Sequence, residues 1–145
     1  MAGGALPFTL GPLASPCDFP RGLPFGFFPT YPTADHLHKG QDWLAPAGSP
    51  CWFREAGVVV WAQDTGQLGN YVALRTATGV HWGLAHLRRI DVAVGQQVAA
   101  GDVVGLTGGV EGEPGAGLVV GMYGHLHEER WVGGLWTGVR VDPMG

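Results

Sequence analysis

The chain has 145 residues, 46% of them hydrophobic and 14% charged, which suits a single domain with its own apolar core. Its net charge of −4 at pH 7, with no long basic run, argues against binding to nucleic acid or to an acidic membrane surface. No stretch approaches the roughly 20 apolar residues that a membrane-spanning helix needs.

The first 33 residues carry seven prolines with aromatic side chains between them. Proline at this density excludes a helix and a central strand. We therefore predict a proline-rich N-terminal arm, residues 1–33, that packs its aromatic rings on a body formed by residues 34–145. A wall of a substrate groove or a docking surface is the alternative use of this arm. No basic segment precedes Pro7 and Pro12, so no secretory signal is predicted.

His38 and Asp42 follow the arm and share one short loop, because Gly40 and Pro46 disfavour a helix there. An imidazole and a carboxylate are both ligands that zinc accepts. A third protein ligand would leave one position open, as catalytic zinc requires. His36 is a weaker candidate for the same role.

Short apolar runs separated by glycine-containing turns fill the chain from Ser49 onward. The predicted strands are Cys51 to Phe53, Gly57 to Gln63, Asn70 to Arg75, Val80 to Leu87, Gln97 to Ala99, Val103 to Thr107, Leu118 to Met122 and Leu126 to Trp131. They predict an all-β, antiparallel fold, either a sandwich or a partly open barrel. Cys17 and Cys51 are expected to be buried free thiols, and His81 is expected to be a surface or sheet residue.

A glycine-rich loop, residues 108–117, precedes the sequence Gly-His-Leu-His-Glu-Glu at 124–129. On a strand, His125 and His127 point the same way and Leu126 points to the opposite face. Two such histidines can share one metal site, or they can simply be solvated on a surface strand. Spacing alone leaves open which of them is a ligand. The loop ahead of them is a candidate flap over the site.

Several motifs occur together in one order: His38-x-x-x-Asp42, Ala85-His86-Leu87 and His125-Leu-His127. Smaller matches accompany them, namely Phe25-Gly26, Gly69-Asn70-Tyr71-Val72, Thr107-Gly108 and Val141-Asp142-Pro143. This ordered set, over about residues 25 to 143, resembles the lysostaphin-type or LytM-type zinc endopeptidases, which cut the peptide crosslinks of peptidoglycan.

The resemblance implies that His38, Asp42 and His127 bind Zn²⁺. His86 and His125 then form a catalytic pair beside it, one taking a proton from water and the other stabilising the oxyanion or protonating the leaving amine. Which histidine does which stays open. The residues assigned to substrate binding are Trp43, Asn70, Tyr71 and Tyr123. The implied partner is the peptide of bacterial peptidoglycan.

The sequence departs from the family at Glu128, where a phenylalanine is usual. Glu128 should point away from His127 on a continuing strand and so leave the metal undisturbed. The absence of a signal and of a wall-targeting segment is consistent with a phage lytic protein, freed at lysis or carried on a virion with other phage tail proteins. The rival hypotheses are a non-cutting structural or regulatory domain of the same fold, such as a tail-tip component, and a carrier domain with a phosphorylatable histidine.

Overall fold

The computed structural model describes residues 12–119, 121 and 123–145, and in these ranges the chain forms twelve β-strands. They are β1 Gly26–Phe27, β2 Leu37–His38, β3 Gln41–Trp43, β4 Pro50–Trp52, β5 Gly57–Asp64, β6 Asn70–Arg75, β7 His81–Ala85, β8 Arg89–Ile90, β9 Gln97–Val98, β10 Val103–Leu106, β11 Leu126–Val132 and β12 Val139–Val141. All of their pairings are antiparallel, which confirms the predicted all-β class. Within the described ranges, no helix has the length and apolarity needed to cross a membrane.

The largest sheet has the strand order β12-β11-β7-β6-β5-β9. Strand β11 pairs with three other strands. β7 lies along one edge of β11, and the other edge pairs first with β3 and then with β12. A second sheet has the order β4-β10-β8, and β1 pairs with β2. The sheets are open rather than closed into a barrel, as the predicted sandwich or partly open barrel allows.

Side chains that alternate along the strands divide between two faces of the large sheet. Val72, Leu74 and Leu84 point to the face covered by the small sheet, where they are buried with Cys51 and Val104. The opposite face carries a second, smaller apolar cluster made by Tyr71, Ala73 and Ala85, with Trp61 and Leu135 packed against it. The functional residues extend from this second face.

The described part of the predicted arm runs first along β4 and then along β3, where the Asp42 backbone nitrogen donates to the Leu23 carbonyl oxygen at 2.9 Å. The carbonyl oxygen of Pro16 accepts a hydrogen bond from the Trp52 backbone nitrogen at 2.9 Å, and Cys17 is buried in the main core. Cys17 and Cys51 are free thiols, as expected. Residues 1–11 of the predicted arm lie outside the described residues, and the boundary at residue 33 stays a prediction.

The predicted strand at Leu118 to Met122 is wrong for the residues that the structure describes there. Leu118, Val119 and Gly121 are irregular, and Val120 and Met122 lie outside the described residues. The Leu118 nitrogen instead donates to the Gln67 carbonyl at 2.8 Å, a contact between two loops. An apolar run predicts a strand only where a neighbouring strand offers pairing groups, and here the neighbour is a loop.

Candidate functional site

A cavity of about 420 Å³ opens on the second face of the large sheet, beside the end of β11. The register of the strands assembles it: His127 of β11 lies opposite Asp42 of β3 on one side and Ala85 of β7 on the other. His86 follows Ala85 directly. The titratable side chains that line the cavity are Tyr31, Asp35, His38, Lys39, Asp42, His86, His125, His127, Glu129 and Arg140.

His38, Asp42 and His127 converge at one point of this cavity. Nε2 of His38 is 3.2 Å and Nδ1 of His127 is 2.9 Å from the same oxygen, Oδ1 of Asp42. One ligand atom from each residue lies within 4.8 Å of the others. The structure thus brings together all three residues that the sequence assigns to metal.

The donor set of these residues fits a cation. Nδ1 of His38 lies 2.8 Å from the Pro24 carbonyl oxygen, which can only accept, so Nδ1 carries a proton and Nε2, beside Asp42, is the nitrogen left to bind a cation. His127 lies between two carboxylates, with Glu129 Oε2 at 3.1 Å from its Nε2. A carboxylate behind a histidine is the usual support of a metal-ligating imidazole. Two nitrogen acceptors and one carboxylate oxygen are a donor set that zinc prefers.

The carboxylates of Asp42 and Glu129 favour a positive charge on the His127 ring between them. Burial lowers the pKa of His127, but the hydrogen bonds to Asp42 and Glu129 outweigh burial and raise that pKa to about 10. Burial raises the pKa of Asp42, but the hydrogen bonds to His127 and His38 outweigh burial and hold this pKa well below its usual range. The site therefore strongly favours positive charge between these side chains.

Two glycines make room for this arrangement. A Cβ on Gly40, in the turn between β2 and β3, would lie 2.6 Å from the His127 ring and 2.5 Å from the Glu128 carbonyl oxygen. A Cβ on Gly83 of β7 would collide with the Tyr71 hydroxyl. Glycine at position 40 lets the turn between His38 and Asp42 approach β11. Glycine at position 83 leaves room for the Tyr71 side chain to reach across the sheet.

Glu129 lies behind His127, and its side chain is completely buried. The Tyr71 hydroxyl and Trp131 Nε1 donate to Oε1 at 2.9 and 3.2 Å, and Arg140 Nη1 donates to Oε2 at 3.0 Å. Burial raises the pKa of Glu129, but His127 and Arg140 outweigh burial and bring it to about 2. Glu129 is therefore ionised at neutral pH and fixes the orientation of the His127 ring.

His86 and His125 stand beside these three residues, with ring centroids 5.4 Å apart. The His86 ring lies 5.7 Å from the ring of His127. Nδ1 of His86 donates to the Ala116 carbonyl oxygen at 2.6 Å, so its Nε2 presents a lone pair. Burial, with smaller contributions from His127 and His125, lowers the pKa of His86 to about 4. Burial also lowers the pKa of His125. Both rings are neutral proton acceptors near pH 7.

The glycine-rich loop has a clear contact with this pair. The Ala116 carbonyl oxygen accepts the hydrogen bond of His86, and the backbone of His125 pairs with that of Gly108 at the other end of the loop. Leu118 and Val119, just past the loop, line the cavity. The predicted flap is therefore a wall that orients both histidines.

The structure corrects two of the predicted substrate contacts. Tyr71 is completely buried and Trp43 is 4% exposed, so neither side chain has surface to offer a substrate. Tyr71 bonds Glu129, and Trp43 Nε1 donates to Glu128 Oε1 at 3.2 Å. Strand alternation predicts which face such residues occupy but not how deeply they lie.

The other two predicted contacts lie on different surfaces. Asn70 donates through Nδ2 to the Leu87 carbonyl oxygen at 3.0 Å and so ties β6 to the segment after His86. Tyr123 is 91% exposed and borders a second, largely apolar cavity of about 430 Å³. The roles of Asn70 and Tyr123 in substrate binding stay predictions.

Sequence reasoning missed Tyr31 and Arg140. Tyr31 packs its ring 5.2 Å from the His38 ring and lines the cavity from the N-terminal arm. Burial and the nearby Asp42 carboxylate raise its pKa. The only indication in the sequence was the alternative that the N-terminal arm forms a wall of a substrate groove.

His36 and His81 lie apart from the three converging residues. His36 bonds the Tyr31 carbonyl oxygen through Nδ1 at 2.9 Å, and His81 lies at the far end of β7.

Comparison with known proteins gives a consistent set of relatives. The model of peptidase family M23 matches residues 36–143. Peptidoglycan DD-endopeptidase ShyC of Vibrio cholerae is 35% identical over 136 residues, which are 91% of this chain and 29% of ShyC. This chain therefore spans less than a third of the length of that relative.

Solved structures share the fold. The catalytic domain of the antimicrobial peptidase lysostaphin from Staphylococcus simulans has a TM-score of 0.73 at 26% identity, covering 88% of this chain and 90% of that domain. A variant catalytic domain of the prophage-encoded M23 protein EnpA from Enterococcus faecalis has a TM-score of 0.73 at 29% identity, covering 88% of this chain and 91% of that one.

Proposed function

Because the chain belongs to peptidase family M23, a family of metallopeptidases, we propose that it hydrolyses peptide crosslinks of bacterial peptidoglycan with the help of zinc. The observation that supports this most strongly is the convergence of five side chains in one cavity: His38, Asp42, His86, His125 and His127. The names of its relatives, a peptidoglycan DD-endopeptidase and lysostaphin, point to the same substrate class.

We assign zinc binding to Nε2 of His38, the carboxylate of Asp42 and Nδ1 of His127, the atoms that converge. Bound there, zinc supplies a Lewis acid that activates water and polarises a carbonyl at neutral pH. Glu129 keeps the His127 ring oriented by accepting a hydrogen bond from Nε2. Pro24 does the same for His38 through its carbonyl oxygen.

His86 is the proton acceptor in this proposal. Its Nδ1 proton is committed to Ala116, and its low pKa keeps Nε2 free to take a proton from the attacking water. His125 faces the same space and stabilises the developing oxyanion or the leaving amine. Tyr31 closes the cavity on the side of His38.

The site of action that we propose is the bacterial cell wall. Attachment to a phage virion through other tail proteins, or release at lysis, stays a prediction from the sequence. Neither alternative changes the chemistry assigned to the site.

Product analysis of digested cell walls tests the proposed function. Purified peptidoglycans with chemically distinct crosslinks are incubated with the protein, and soluble products are identified by mass spectrometry. We expect new amino and carboxyl termini at one type of peptide crosslink, with the glycan strands intact, and no products in the presence of a chelator. Absence of cleavage in every peptidoglycan would favour a non-cutting domain of the same fold.

A further inference from the structure

Arg140 occupies an unusual place for a charged residue of this site. It lies on β12 opposite Trp131 of β11, and its guanidinium stacks on the Trp131 ring at 4.9 Å. Nη1 donates to Glu129 Oε2 at 3.0 Å, while 26% of the side chain stays exposed at the cavity. The guanidinium is therefore held rigidly with part of its surface facing the groove.

The contact with Glu129 uses only part of the donor capacity of Arg140. A guanidinium has five N–H donors in one plane, and Nη1 donates the single side-chain hydrogen bond recorded for Arg140 within the described residues. Glu129 itself bonds the Nε2 of His127, whose Nδ1 faces Asp42. Arg140 thus stands two hydrogen bonds away from Nε2 of the imidazole ring whose Nδ1 we assign to zinc.

With a divalent cation at the proposed site, the formal charges that line the cavity sum to one positive charge. Lys39 pairs with Asp35 at 3.0 Å on the rim, so these two cancel. Asp42 and Glu129 carry two negative charges, which a divalent cation at the proposed site balances. The groove as a whole then has one positive charge in excess, and the exposed part of Arg140 presents positive charge to an anionic substrate there.

We infer that Arg140 is a specificity-determining residue that binds a free carboxylate of the substrate peptide close to the scissile amide. This inference rests on the proposed function. A planar guanidinium pinned by Glu129 and Trp131 binds a carboxylate through two parallel hydrogen bonds at little conformational cost. The protein therefore cuts crosslinks between stem peptides that carry a free carboxylate in preference to uncharged glycine bridges.

A matched pair of substrates tests this inference. Two crosslinked stem-peptide dimers are compared that differ only in one carboxyl group beside the scissile bond, free in one and amidated in the other. We expect kcat/KM for the free carboxylate to be about 10- to 100-fold higher, mainly through KM, since one charge-assisted contact is lost in the amide. Arg140→Gln, which keeps a donor for Glu129, should abolish most of that preference, and Arg140→Lys should keep part of it.

Arg89→Gln is the matched control. Arg89 is exposed and also pairs with a carboxylate, Asp91 at 2.6 Å, but it lies away from the cavity. Its replacement should leave the preference unchanged. Equal cleavage of both substrates by the unaltered protein would overturn the inference alone. So would an Arg140→Gln variant that loses rate equally on both substrates, the result of a purely structural role. Cleavage of neither substrate, nor of pentaglycine bridges, would instead overturn the proposed function.

Discussion

Replacing His127 with alanine is expected to abolish metal binding and hydrolysis together, whereas replacing His86 with alanine should abolish hydrolysis and leave the metal bound. The difference follows from their contacts. His127 shares an oxygen of Asp42 with His38, while His86 is fixed by a backbone carbonyl and faces the residues that we propose as ligands only with its ring. Loss of a general acid or base costs about 10²- to 10⁴-fold in rate.

The measurement combines metal content after dialysis with the rate of cleavage of a peptide crosslink. We expect about one zinc per chain in the unaltered protein and in the His86 and His125 variants, and close to none in the His127 variant. His81→Ala is the control, because His81 lies on β7 away from the cavity and should keep both metal and rate. Release of zinc by the His125→Ala change would show that the ligand assignment is wrong.

Glu128→Ala is expected to destabilise the fold by about 3–5 kcal/mol, because it leaves a buried arginine without its counter-charge. Arg54 donates to both carboxylate oxygens of Glu128, Nε to Oε2 at 2.9 Å and Nη2 to Oε1 at 2.6 Å. The side chains are only 6% and 1% exposed. The guanidinium also stacks between Trp43 and Trp82, at 5.3 Å from each ring.

Urea denaturation measures this loss as a lower free energy of unfolding. The double variant Arg54→Met/Glu128→Leu is the matched control, since it removes both charges and leaves apolar side chains in the same space. We expect it to recover most of the lost stability. A Glu128→Ala protein as stable as the unaltered one would mean that the ion pair contributes little.

This ion pair also explains how the family departure at Glu128 is tolerated. Strand alternation predicts that Glu128 points away from His127, and the structure confirms it, with Glu128 in the core beneath the site. Its partner Arg54 could not be predicted, because the two lie 74 residues apart in sequence and meet only through the packing of the sheets. Trp43 joins the pair from the residue next to Asp42, so the same contact supports β3 and β11, the strands of Asp42 and His127.

Local pattern predicted the strand of His127 well. The sequence indicated a strand at Leu126 to Trp131, and β11 spans Leu126–Val132. The double-histidine spacing also predicted that both rings face one site. The contacts of Glu129 were not predictable in this way, because Tyr71 and Arg140 reach it from different strands. Short polar patterns thus identify the candidate catalytic and metal-binding residues, while the groups that orient them depend on tertiary packing.

Hydrolysis of a purified peptide crosslink as a function of added zinc tests the central claim most directly. Protein stripped of metal by a chelator should be inactive, and its rate should rise in proportion to zinc until one equivalent per chain is reached. Asp42→Ala protein, which lacks the oxygen shared by His38 and His127, should show no such rise. Full activity of the stripped protein, or an unchanged zinc response in the Asp42 variant, would contradict the account.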